Sequence, residues 1–169
     1  GGVETGRIAI RDYDDADAPT VGRIIAATYA EFNLAFTTPE QRALFLGPFQ
    51  HAESVEPAHQ AAVARVLRSE MVFVADVDGV IAGVLRGRLD RLASLFVHRD
   101  YQRRGIGRRL VERFEDECRR RGATVIRVAA TEYAVPFYQM MGYKRSTGLR
   151  IGWSFEGHGL PIQPMRKVL

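Results

Sequence analysis

One cysteine in 169 residues excludes an internal disulfide, because Cys118 has no partner within the chain. It falls on the apolar face of a helical stretch and reads as a small core residue in a reducing compartment, not as a catalytic thiol. The four histidines, His51, His59, His98 and His158, are scattered with no acid at ligand spacing, so no metal site is expected. Nowhere do apolar residues run uninterrupted for the ~18 positions that a spanning helix needs. Residues 1–10 also lack the apolar region of a secretory signal. The expected location is therefore cytoplasmic, with no membrane partner. Charge of one sign is scarce as well: 24 Lys and Arg face 20 Asp and Glu, a formal net charge of +4. That excess suits an anionic small ligand and does not demand nucleic acid. Internal repeats, low-complexity tracts and interdomain linkers are absent too. A hydrophobic content of 46% then fits a single domain over residues 7–169, with residues 1–6 set aside as a remnant of processing or expression.

What is present concentrates between residues 95 and 122. Leu95-Phe96-Val97 is an apolar strand, and Gln102-Arg103-Arg104-Gly105-Ile106-Gly107 leads from it into a long amphipathic helix. Unpaired N–H groups and the positive end of the dipole make such a helix start an anion site. Glycine lets a bulky phosphate approach those amides, where a Cβ would hold it off. Gly107, Leu110, Val111, Phe114 and Cys118 keep the spacing of one buried stripe. Arg119, Arg120 and Arg121 close the last turn, and Gly122 supplies the stop. The clusters Arg103–Arg109 and Arg119–Arg121 also permit a nucleic-acid reading, with affinity that falls steeply with salt. The acidic residues interleaved on the helix weigh against it.

The remaining elements follow from period and punctuation. A strand is expected at 7–11, a helix through Val21, Ile24, Ile25, Thr28 and Tyr29, and a break from Asn33 to Pro39. Two further helices are expected, at 39–45 and 57–70. Strands at 71–77 and 80–88 flank Asp78-Gly79, the strongest short-range hairpin signal. A strand at 90–98 precedes the glycine turn, and a buried strand at 124–130 follows the long helix. A short helix at 135–141 leads to strands at 143–155 and 162–169, joined through Gly157-His158-Gly159. The order describes a mixed α/β sheet, mostly antiparallel, with a parallel pair at its centre and helices on its faces.

These residues carry a family pattern. Leu95-Phe96-Val97 with Gln102-Arg103-Arg104-Gly105-Ile106-Gly107 is similar to the Q/R-x-x-G-x-G/A motif of the GNAT superfamily of acyl-CoA-dependent N-acetyltransferases. Ala134-Val135-Pro136-Phe137-Tyr138 through Met141-Gly142-Tyr143 resembles that family's second signature, and the likeness spans roughly residues 7–169. It implies the GNAT fold, a sheet splayed at its central parallel pair, and acetyl-CoA as cosubstrate. By the resemblance, backbone amides of Arg103, Arg104, Gly105, Ile106, Gly107 and Arg108, with Gln102, hold the pyrophosphate. Leu95, Phe96 and Val97 pair with the pantetheine arm, and Thr131 and Phe137 join the cofactor contacts. Tyr138 falls where many members place the general acid for the departing thiolate. The chemistry agrees: a thiol pKa of about 8.5 needs a donor, and a phenol near 10 stays protonated at neutral pH. Two departures stand out. Thr131 occupies the position of a frequent asparagine, and the strand offers Asp90, Ser94 and His98 but no glutamate. The base therefore stays open between Glu31, Glu132 and a water chain.

The expected activity is acetyl transfer to a primary amine in a ternary complex. A non-catalytic acyl-CoA sensor on the same fold is the alternative. Acceptor contacts are expected in 29–56 and 152–160, with Phe32, Phe36, Phe45 and Phe49 as candidates for an apolar pocket. A homodimer is a family-based expectation.

Overall fold

The computed structural model describes residues 7–153, 155 and 159–169. Five α-helices are present among them: α1 (Ala18–Thr28), α2 (Pro39–Leu46), α3 (Pro57–Leu67), α4 (Ile106–Arg120) and α5 (Val135–Met140). The strands are β1 (Ile8–Asp12), β2 (Met71–Val77), β3 (Val80–Arg88), β4 (Arg91–Val97), β5 (Val125–Ala130), β6 (Lys144–Arg145), β7 (Arg150–Trp153) and β8 (Gly159–Val168). They form one sheet in the order β1-β2-β3-β4-β5-β8-β6, with β7 paired to β8. Every pairing is antiparallel except β4 with β5. This is the mixed sheet expected from the element order. None of the described helices is long and apolar enough to cross a membrane.

Local chemistry sets the boundaries. The Asp14 carboxylate accepts from Ala16 N at 2.8 Å while Asp17 accepts from Asp14 N at 2.9 Å, a reciprocal cap on the turn that leads into α1. Thr38 and Gln41 repeat the device at α2, where Pro39 fills the first helical position. Asp78 and Gly79 have φ of 52° and 88°, the left-handed pair that a two-residue hairpin turn requires. The helical path widens after Thr28 into a single π-helical turn over Tyr29–Asn33 and then breaks, as expected, before α2 begins at Pro39.

The strand expected over 143–155 is interrupted. Lys144 and Arg145 pair with Arg166 and Met165, and Arg150–Trp153 pair further along β8 with Gly159–Ile162. Between them Pro164 has no N–H to give, its carbonyl accepts from Ser146 N, and the Gln163 amide turns to Thr147 O. The ladder breaks there for want of a donor. β8 itself begins at Gly159, earlier than the expected 162, and the expected Gly157-His158 part of the connection lies outside the described residues.

Apolar residues fill both faces of the sheet. Under α4, Leu110, Val111, Phe114 and Cys118 pack with Phe73, Leu85, Ile126 and Met165. Against α1 and α3, Val21, Ile25, Val63 and Leu67 pack with Val74, Val84 and Phe96. Each large side chain fully buried contributes about 1.5–3 kcal/mol. An exposed ion pair such as Arg108–Glu112 contributes about 0–1 kcal/mol. Packing, and not the many surface charges, therefore holds α4 on the sheet.

Candidate active site

The parallel pair is short. β4 and β5 meet only at Arg91↔Arg127 and Leu92↔Val128. Pairing on the β3 side jumps from Leu92↔Gly87 to Ser94↔Arg86, which leaves Ala93 in a bulge that bends β4 away from β5. Beyond the bulge Ser94–Val97 keep β3 on one side and lose β5 on the other. Backbone groups facing the gap therefore have no strand to bond. The gap opens into a cavity of about 890 Å³, within the range for small-molecule sites.

One end of the cavity is built from main chain. Arg103 and Gly105 are left-handed, with φ of 63° and 78°, and they turn the chain sharply into α4. The first intrahelical bond runs from Arg109 N to Gly105 O at 3.1 Å, so Ile106, Gly107 and Arg108 present N–H groups with no helical acceptor. Successive amides in such a bend form an anion-binding concavity. A Cβ on Gly107 would sit 3.3 Å from the Phe137 ring, so side chains larger than hydrogen crowd this wall. Gln102 is spent within the protein: its amide donates to Val97 O at 3.2 Å and ties the loop to β4. The Arg104 guanidinium lies over the Tyr101 ring at 5.2 Å and does not line the cavity.

Leu95, Phe96, Val97, Gln102, Arg103, Gly105, Ile106, Gly107 and Arg108 line the cavity from the β4–α4 side. Thr131, Phe137 and Tyr138 line it from the far side. Tyr138 is buried, held edge-on between Phe137 and Tyr143 at centroid distances of 5.2 and 5.6 Å. Its hydroxyl has no hydrogen-bond partner among the described residues. Burial drives the phenol well above its ordinary pKa, so it keeps its proton throughout the neutral range.

The third wall comes from α1 and its π-helical extension. Thr28, Tyr29, Phe32 and Asn33 face the cavity there, with Phe155, Leu160 and Ile162 beside them. Phe32 stacks on Tyr133 at 5.2 Å, which joins this wall to the turn before α5. Of the four phenylalanines considered for the acceptor side, Phe32 alone lines the cavity. Phe49 is core, Phe45 packs against that core, and Phe36 is exposed. Arg86 is a polar lining residue outside every segment expected to contact ligand, and Asn33 lies within the expected 29–56 segment without having been singled out. Thr131 Oγ donates to Asn33 Oδ1 at 2.8 Å, across a separation of 98 residues. The sequence signal on this wall was the Ile25, Tyr29, Phe32 spacing, which carries the helix stripe up to the expected break at Asn33. The two carboxylates considered as bases lie off the cavity lining: Glu31 pairs with Arg99 at 3.6 Å, and Glu132 is exposed. Cys118 sits in the core under α4, its thiol pushed up by burial.

A splayed parallel pair ending at a glycine-turned helix start is the arrangement that the sequence resemblance implied, and comparison with known proteins agrees. Residues 25–169 match the acetyltransferase (GNAT) domain family. The chain belongs to that family. Over 82 residues it is 33% identical to a tRNA(Met) cytidine acetyltransferase, TmcA, of Aeropyrum pernix. That alignment covers 48% of this chain and 11% of TmcA, so the chain matches about a tenth of that relative's length. Among solved structures, a GCN5-related N-acetyltransferase from Rhodopseudomonas palustris superposes with a TM-score of 0.77 at 25% identity, over 100% of both chains. The PaiA N-acetyltransferase of Thermoplasma acidophilum, solved with coenzyme A, gives a TM-score of 0.72 at 16% identity, over 96% of this chain and 99% of that one.

Proposed function

We propose that this protein moves the acetyl group of acetyl-CoA directly to a primary amine, with both substrates bound together. The observation that carries this reading is the gap between β4 and β5, which runs from unclaimed strand amides to the unpaired N–H groups at the start of α4. Those two features match the two halves of the cosubstrate. Amides of Arg103 to Arg108 take the pyrophosphate, with Arg103 and Arg108 adding charge. Backbone groups of Leu95 and Val97, which the register turns away from β3, take the pantetheine amides as another strand would, while Phe96, whose main chain bonds β3, borders the arm with its side chain. The thioester supplies an activated acyl group and a good leaving thiolate. An N–H on β4 steadies the carbonyl oxygen as it gains charge, a contribution of ~3–4 kcal/mol for a preorganised donor.

Tyr138 then gives its proton to the departing sulfur. Its raised pKa does not disqualify it, because the same dry wall also raises the proton affinity of a thiolate released beside it. The amine must arrive neutral. Glu31 and Glu132 stand off the lining, so its proton leaves by water to solvent. Cys118 is buried away from the cavity, which favours direct transfer over an acetyl-cysteine route.

The missing carboxylate is the one observation that favours the non-catalytic acyl-CoA sensor. Thiol release from acetyl-CoA across an amine panel separates the two readings. The panel includes cytidine, because TmcA is named for that acceptor. Amine-dependent release supports transfer. Tight acetyl-CoA binding by calorimetry with no release from any amine supports the sensor and overturns the proposal.

A further inference from the structure

Among the described residues, the cavity lining carries charge of one sign: the charged side chains are Arg86, Arg103 and Arg108, and no Asp, Glu or Lys stands with them. Arg103 and Arg108 belong to the phosphate end. Arg86 sits elsewhere, on β3 opposite Ser94 of β4, on the face that carries Val84 and Phe96 toward α1 and α3. It is therefore on the acceptor side of the gap.

No carboxylate lies within ion-pair distance of Arg86 among the described residues. Its Nε donates to Leu67 O at 3.2 Å, Nη2 to Val66 O at 2.7 Å, and Nη1 to Ser94 Oγ at 3.4 Å. The Phe155 ring lies 5.9 Å from the guanidinium carbon. Every one of these partners is neutral. The two carbonyls end α3, whose dipole carries about half a negative charge at that end, so a net positive charge remains. Burial pulls the guanidinium below its ordinary pKa, as expected for a charge with no counter-ion beside it. Three of the five guanidinium N–H groups are committed to these bonds, and two remain, one on each terminal nitrogen. The neighbouring polar groups are donors too. Ser94 accepts from Arg86 and keeps its own hydrogen to give. Asn33 accepts from Thr131 through Oδ1, so its NH₂ is left over.

We infer that the acceptor is a small amine bearing an anionic group, a carboxylate or a phosphate, which Arg86 grips through its two remaining N–H groups beside Ser94. This rests on the acetyl-transfer reading for the amine end of the molecule. A buried side holding a guanidinium and no carboxylate among its described residues disfavours polycations such as polyamines, which would need acids to receive them. An anion arriving there completes the fork geometry that guanidinium offers and lysine does not.

The test uses matched acceptors with and without the anion, compared at equal concentrations of neutral amine: an amino acid against its carboxamide, and aminoethyl phosphate against ethanolamine. Thiol release gives kcat and KM for each, in the wild type, Arg86→Gln and Arg86→Lys. In the wild type the anionic member of at least one pair is favoured by about tenfold or more, chiefly in KM. The favoured pair identifies the anion as carboxylate or phosphate. In Arg86→Gln that ratio collapses toward one, and Arg86→Lys, with its charge but without the fork, falls between. Arg86→Gln also loses part of the cap on α3, so calorimetry on the wild type supplies a reading independent of folding. There, an N-acetyl amino acid or N-acetyl aminoethyl phosphate binds tighter than its neutral partner in the presence of coenzyme A. Equal binding and turnover within both pairs, a preference for polyamines or cytidine, or a preference that survives in Arg86→Gln overturns the proposal. Acetyl-CoA affinity measured alongside reports separately on the acetyl-transfer reading.

Discussion

Tyr138 and Gly105 carry the two most local demands of the proposed chemistry. A phenol buried between Phe137 and Tyr143 holds its proton well above neutral pH, which is the state a proton donor needs. Tyr138→Phe keeps the ring packing and removes only the hydroxyl. Turnover on the best amine is expected to fall by about 10²-fold or more, with acetyl-CoA affinity by calorimetry nearly unchanged. Equal kcat in the two proteins would take Tyr138 out of the acid role. Gly105 sits at φ 78° with open space where its Cβ would be. Gly105→Val therefore meets no clash but strains the left-handed backbone by about 1–2 kcal/mol and places a branched side chain beside the amides. Coenzyme A affinity is expected to drop more than thermal stability does, which calorimetry and melting curves on one preparation check.

At the scale of elements, α4 is the strut on which the anion end depends. Phe114 is fully buried beneath it against the sheet. Phe114→Ala removes the largest knob and is expected to cost about 3–5 kcal/mol in urea unfolding. The other end of the helix is clamped electrostatically. Glu117 receives Arg113, Arg120 and Arg121, and their guanidinium groups hold its carboxyl down at about 2. A folded pKa below the unfolded value gives stability that is present above the unfolded pKa, near 4.5, and lost as pH falls toward 2. Glu117→Gln should therefore melt lower than the wild type at pH 7, with the gap closing between about pH 4.5 and 2. A gap that stays constant in that window would show that the clamp does not act through ionisation.

Across the whole molecule, the buried Glu115 and Tyr143 and the partly buried Lys167 stitch distant segments together behind the site. Glu115 of α4 accepts from Tyr143 Oη at 2.9 Å and pairs with Lys167 of β8 at 3.0 Å. Tyr143 in turn packs against Tyr138. Glu115→Ala strands a buried hydroxyl and an ammonium, and is expected to destabilise the fold by about 3–5 kcal/mol in denaturant titrations. Such links were invisible in the chain, since 28 and 52 residues separate the partners. Short-range features were plain in the residue order. The α4 stripe, the Asp78-Gly79 hairpin and the glycine bend each follow from neighbours within a few positions, where period and turn chemistry operate. The phosphate end was legible for that reason, being main chain from one loop and one helix start. On the proposed acceptor side the segments 29–56 and 152–160 were anticipated and supply lining residues, but Arg86 was not. Arg86 looked like one arginine among many, until the bulge at Ala93 opened β4 from β5 and the packing of α3 set its guanidinium in a cavity with no carboxylate among its described lining residues. Asn33 looked like a helix breaker and became a partner of Thr131. Local geometry is written in adjacent residues, whereas the sign of charge inside a cleft depends on which remote side chains the fold leaves there unpaired.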